Sequence, residues 1–133
     1  MKKIIVVAAF AALAACSQPE APAEEATTEE AAAPANIAAD GLPTVGVYKV
    51  TQPDGTVLTV DVKEDGTFAA TDADGNMVDS GKWEQKSPEQ YCETSDAEGS
   101  TQVCYEEKID ENGVYVSKNP NTGDVSTVER VQS

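Results

Sequence analysis

The sequence predicts an all-β domain of about eight short antiparallel strands, closed into a small up-and-down barrel or folded as a two-sheet sandwich. Three observations predict it. From Thr44 onward, valine, threonine and tyrosine gather in short runs. Turn signals separate the runs: Pro53-Asp54-Gly55, Glu64-Asp65-Gly66, Asp74-Gly75, Asn112-Gly113 and Thr122-Gly123. No run sustains a helical period. Asp-Gly and Asn-Gly between alternating runs are the strongest short-range hairpin signal, because tight hairpin turns need positive φ.

The first strand is expected near residues 45–51, around Gly46-Val47-Tyr48. In the second, near 57–63, Leu58, Val60 and Val62 share one face while Val57, Thr59 and Asp61 take the other. The third and fourth are expected near 67–72 and 76–85, on either side of Asp74-Gly75. The fifth and sixth, near 89–95 and 101–108, flank an acidic turn at residues 96–100. Asn112-Gly113 leads into the seventh near 113–118, and Thr122-Gly123 into the eighth near 124–131. Connections this short favour a meander, and eight strands of this length can close into a barrel.

Gly46-Val47-Tyr48, the stretch Leu58-x-Val60-x-Val62-x-x-Asp65-Gly66-Thr67-Phe68 and Gly81-Lys82-Trp83 form a set. This set resembles bacterial lipocalin-like and META-type β domains over most of residues 44–85. The resemblance implies that the glycine-aromatic pair, the Asp-Gly-Thr-Phe hairpin and the Gly-x-Trp help close one end of a barrel.

Before the domain lie two segments of different character. Lys2 and Lys3 precede the apolar residues 4–12, and then comes Leu13-Ala14-Ala15-Cys16. A basic start, an apolar run and small residues at a cut mark a secretory signal over residues 1–15. The run ends well short of the roughly 20 residues that span a bilayer. Leu-Ala-Ala-Cys resembles the lipobox of bacterial lipoproteins, which implies cleavage between Ala15 and Cys16 and acylation of the Cys16 thiol. More than one acyl chain makes such an anchor stable. Ser17, where an aspartate would retain the chain in the inner membrane, resembles the outer-membrane sort. The expected location is the cell envelope, lipid-anchored on the periplasmic face or the cell surface.

Residues 16–43 are rich in Ala, Pro, Glu and Thr, with Ile37 and Leu42 the only large apolar side chains. So little apolar surface cannot offset the entropy of ordering, which predicts a disordered tether. A transient helix over residues 24–33 is the alternative, since Ala and Glu are good helix formers. Once Lys2 and Lys3 leave with the signal, seven basic residues face 24 acidic ones, a charge of −17. That balance repels nucleic acid and anionic headgroups and attracts cationic partners.

Of three cysteines, Cys92 and Cys104 remain after Cys16 is assigned to the anchor. In an oxidising envelope an even remainder predicts a disulfide. If Ser95 faces Thr101, Cys92 falls opposite Cys104 and Tyr91 opposite Tyr105. The staple suits a thin core. With Phe10 lost, Phe68, Trp83, Leu58, Ile109 and the valines are left to fill a domain of about ninety residues.

Catalytic chemistry is poorly supplied. The chain has no histidine, the commonest general base and metal ligand. Ser80 and Lys82 share a strand face, which makes a dyad geometrically possible but no more. Glu106-Glu107 and Asp110-Glu111 are expected to be solvated strand ends. Asp72-Ala73-Asp74-Gly75-Asn76 fails as an EF-hand loop, because Ala70 and Gly81 occupy its two anchoring positions. The expected function is therefore non-catalytic, without cofactor: a binding or structural module for a small apolar ligand or an envelope partner. The alternatives are an acidic inhibitor of a cationic envelope enzyme such as lysozyme, and a passive charged spacer.

Overall fold

Turn chemistry sets the strand boundaries. The structure, a computed structural model, describes residues 36–132. It contains eight strands: β1 (Gly46–Thr51), β2 (Val57–Val62), β3 (Thr67–Thr71), β4 (Met77–Ser87), β5 (Gln90–Ser95), β6 (Val103–Ile109), β7 (Tyr115–Lys118) and β8 (Val125–Arg130). In five of the connecting turns, an Asx side chain accepts the backbone N–H two residues on. These bonds run from Thr56 to Asp54 (2.8 Å), Thr67 to Asp65 (3.0 Å), Asp74 to Asp72 (2.9 Å), Asn112 to Asp110 (2.8 Å) and Asn121 to Asn119 (2.8 Å). Such side chains mimic a turn of backbone. The glycines beyond them supply positive φ, as at Gly66 (86°) and Gly113 (83°).

Each strand pairs antiparallel with the next, and β8 returns to β1 to close the barrel. The barrel, rather than the sandwich, is the fold. Leu58, Val60 and Val62 point inward, opposite Val50, Tyr48 and Gly46 of β1. Register shifts at Ala70/Thr71 and Gln85/Ser87 bend the eleven-residue β4 around the wall. At Gly81, β4 and β5 run so close that a Cβ would collide with the Thr94 carbonyl oxygen. Two residues on, Trp83 stacks on Tyr91 (centroids 6.1 Å apart), and its indole N–H donates to the Lys63 carbonyl (2.8 Å).

Cys92 and Cys104 face each other across β5 and β6 and are joined by a disulfide, with Tyr91 opposite Tyr105 as the register predicts. Closing so short a loop stabilises by about 3 kcal/mol on the loop-entropy model.

The ordered fold begins before Thr44, where the tether was expected to end. Within residues 36–43, Ile37 bridges Pro43, the Ala38 N–H donates to the Leu42 carbonyl (2.9 Å) and the Gly41 N–H to that of Ala38 (2.9 Å). Ala38, only 1% exposed, belongs to one core cluster with Tyr48, Val62, Tyr91, Tyr115 and Val128. Arg130 clamps the segment: its guanidinium donates to both Asp40 carboxylate oxygens (2.5 and 3.0 Å) and to the Pro43 carbonyl (2.8 Å). The same guanidinium lies 4.8 Å from the Tyr48 ring centroid. Burial opposes charge on Asp40, but the Arg130 bonds prevail and hold its carboxyl below the usual range. An alanine small enough to enter the barrel end, plus one ion pair, does here what large apolar side chains do elsewhere. The expected signal (residues 1–15), the expected acylation site Cys16 and the part of the expected tether up to residue 35 lie outside the described residues.

The core also departs from expectation. Tyrosines carry much of it, whereas Ile109 is 42% exposed. Ile109 is the last residue of β6, where the strand gives way to the exposed turn before β7.

Candidate functional site

Strand alternation puts Tyr91 and Glu93 of β5 on the inner face, and Tyr105 and Glu107 of β6 beside them. The adjacent pair Glu106-Glu107 is thereby split. Glu106 stays outside, 3.5 Å from Lys118 Nζ, while Glu107 turns inward and is only 7% exposed. The Tyr115 hydroxyl donates to its carboxylate at 2.5 Å. Both glutamates were expected at a solvated strand end; alternation allows that for one of them only.

These side chains line a cavity of about 340 Å³, within the range of small-molecule sites. Its two walls differ. β1 to β3 contribute an apolar surface from Val50, Leu58, Val60, Val62, Phe68 and Ala70. β4 to β7 contribute Asp79, Tyr91, Glu93, Tyr105, Glu107 and Tyr115. All four tyrosines of the chain lie on the lining, and no lysine or arginine does. At one end the cavity stops at Thr44 and Tyr48, under segment 36–43. At the other it reaches the β1–β2 turn at Gln52 and Pro53 and the β7–β8 turn at Asn119, Thr122 and Asp124. Pro53, Thr122 and Asp124 are exposed, so the mouth is there.

Burial raises both inner glutamates to about 7. For Glu93, Asp79 and Glu107 add to the effect of burial and Tyr91 opposes it. For Glu107, the hydrogen bond from Tyr115 opposes burial. Burial, then the charge of Glu93, pushes the Tyr105 hydroxyl up to about 12. Tyr91 and Tyr115 rise further, for the same reason and from their own glutamate neighbours. Near neutral pH each inner glutamate is thus close to half protonated.

The polar groups differ in how well they are satisfied. Asp79 accepts the Ser95 hydroxyl at 2.5 Å, and Thr44 donates to Gln85 at 2.9 Å. Tyr48 donates to the Thr44 carbonyl at 2.6 Å. The Tyr91 hydroxyl, on a residue only 8% exposed, is buried without a hydrogen-bond partner. Glu93 stands beside it, near enough for the Tyr91 hydroxyl to act on its carboxylate, and among the described residues Glu93 has no ion-pair partner. The Tyr91 hydroxyl is the unsatisfied group of the wall.

The other candidates from the sequence lie elsewhere. Ser80 faces outward and donates to Asp96 (3.4 Å), and Lys82 is exposed on the same outer face. Asp72 and Asp110 direct their carboxylates at their own turns. Among the described residues, no group of three carboxylates or cysteines is placed to hold a metal ion. Sequence reasoning missed Glu93 and Glu107, although the Tyr91–Tyr105 register carried the signal. Two residues beyond each tyrosine, on the same face, stands a glutamate. No protein-family model, curated protein or solved structure matches the chain.

Proposed function

We propose that this chain is a lipid-anchored protein of the bacterial envelope whose barrel holds a small ligand, without catalysing a reaction on it. The observation that carries the binding reading is the two-sided cavity, closed at one end by residues 36–43 and open at the other between two turns. An apolar wall facing a few fixed polar groups is how small-molecule sites combine affinity with orientation. The anchor rests on Leu13-Ala14-Ala15-Cys16 and the basic and apolar residues before it. Cys16 would hold the barrel at the membrane, most simply at the outer one given Ser17. The acidic surface would keep the barrel off anionic headgroups.

Native mass spectrometry of the protein purified from its own host tests the binding reading. The expected spectrum contains a species heavier than the chain by one small molecule, released on unfolding. A bare mass, unchanged after incubation with host small-molecule extract, would count against it. For the anchor, radiolabelled fatty acid is expected to label the wild-type chain and not a Cys16→Ala variant.

A further inference from the structure

The cavity's chemistry narrows its ligand to one class, an assignment that rests on the ligand-binding reading. We propose that the cavity takes a small organic ammonium ion with an apolar body. Its charged head would sit against the Glu93 carboxylate and the Tyr91 hydroxyl, and its body against the β1–β3 wall.

Three observations converge on this assignment. First, the lining is of one sign: Asp79, Glu93, Glu107 and Asp124 contribute carboxylates and no residue contributes a cation. A carboxylate or phosphate ligand would meet only repulsion. Second, the polar groups are not equally free. Ser95 occupies Asp79 and Tyr115 occupies Glu107, whereas the hydroxyl that stands against Glu93 is that of Tyr91. Its oxygen is buried and unpartnered. Buried polar groups are nearly always paired, and an orphan aimed into a cavity marks a place where a ligand atom completes the bond. An ammonium N–H can donate to that oxygen while its charge faces Glu93. Third, Tyr105 stands directly across from Tyr91, bringing a second aromatic ring into the cation's surroundings. A metal ion is the poorer occupant, because the described residues place no three carboxylates together. The apolar wall would also be left without a role.

The pH response is set by the groups that face Glu93: Tyr91 on its own strand, Asp79 from β4, and Tyr105 and Glu107 from β6. None is a cation, so Glu93 keeps its proton to about pH 7 until an ammonium ion displaces it. Affinity for an ammonium ligand should therefore rise by about tenfold or more between about pH 5.5 and pH 8, in step with the ionised fraction of Glu93.

The test is calorimetric titration of the full chain with 2-phenylethylamine, its neutral counterpart 2-phenylethanol and the anionic 3-phenylpropionate. The proposal expects the amine to bind at least about tenfold tighter than the alcohol and the acid not at all. In Glu93→Gln, which keeps the shape of the wall, the amine should fall to the affinity of the alcohol while the alcohol is unchanged. Tyr91→Phe should weaken the amine several-fold and leave the alcohol unchanged. Because it deletes only an unsatisfied hydroxyl, this variant is expected to fold even if the Glu93 variant does not. Equal binding of amine and alcohol, or an amine affinity indifferent to both substitutions, would overturn the proposal and leave the ligand-binding reading standing. Binding of none of the three would overturn the ammonium assignment, while the ligand-binding reading would stand or fall with the native mass spectrum.

Discussion

The two ends of the barrel are built from the same eight strands and behave as different materials. At the closed end, Tyr48, Val62, Tyr115 and Val128 pack with Ala38 into a buried cluster, and Arg130 clamps Asp40 over it. At the open end, Val50, Leu58, Val60, Ser117 and Ser126 face inward but stay half-exposed around the cavity. A closed sheet of eight strands leaves an interior that side chains can just fill or that can hold one small ligand. Here one barrel does both. Segment 36–43 and the rings of Tyr48, Tyr91 and Tyr115 fill one half, and smaller side chains leave the other hollow. Stability should therefore concentrate at the closed end, and ligand contact at the open one.

The sharpest way to break this contrast is to empty the closed end. Tyr48→Ala removes a buried ring, its hydrogen bond to Thr44 and the surface beneath Arg130, and should destabilise by about 4 kcal/mol in a denaturant titration. Joint replacement of Cys92 and Cys104 by alanine should cost about 3 kcal/mol. That loss is expected from both halves of β5 and β6 alike, which hydrogen exchange would resolve. Arg130→Met breaks a part-buried ion pair and three hydrogen bonds and should cost about 1 kcal/mol. Exchange of the Ala38 and Thr44 amides should then accelerate first. If Arg130→Met left those amides protected, the clamp would be incidental to the closed end.

A pH titration separates the buried glutamates from the turn and clamp carboxylates. Glu107 has a folded pKa of about 7, above its unfolded value of 4.5, so the folded chain binds the extra proton between these values. Stability from this group is fully present below about pH 4.5 and is lost as pH rises through about 7, by at most about 1.4 kcal/mol per pH unit. Asp40 and the turn carboxylates Asp54, Asp65, Asp72 and Asp110 have lowered values and act oppositely, losing their contribution as pH falls below their usual 3.8. Maximum thermal stability is expected near pH 5, with a decline toward pH 8 to which Glu93 also contributes and which Glu107→Gln makes shallower. An effect as small belongs to the open end. Leu58→Ala enlarges a cavity already open to solvent and should destabilise by only about 1 kcal/mol, while weakening ligand binding.

Much of this molecule is written locally. Asp65-Gly66 and Asp110 to Gly113 announce their turns because an Asx carboxylate and a positive-φ glycine act within a few residues. The Cys92–Cys104 pairing was legible for a similar reason, since one hairpin register settles it. Glu107 and Ala38 were not. Glu106 and Glu107 look alike until a register fixes which one the barrel encloses, and Ala38 sits in a stretch whose composition argues for a tether. Ile109 failed in the opposite sense: its apolar character is local, but its exposure follows from its place at the end of β6, beside an exposed turn.

What the amino-acid order determined alone is the number of strands, the positions of the turns and the disulfide partners, because alternation and turn chemistry act over two to four residues. Tertiary structure decided closure of β8 onto β1, the end that is plugged, and the two carboxylates that come to face a cavity. The Asp40–Arg130 pair shows why: its partners stand 90 residues apart, and nothing near either one in sequence specifies the other. Only the closed sheet brings them together.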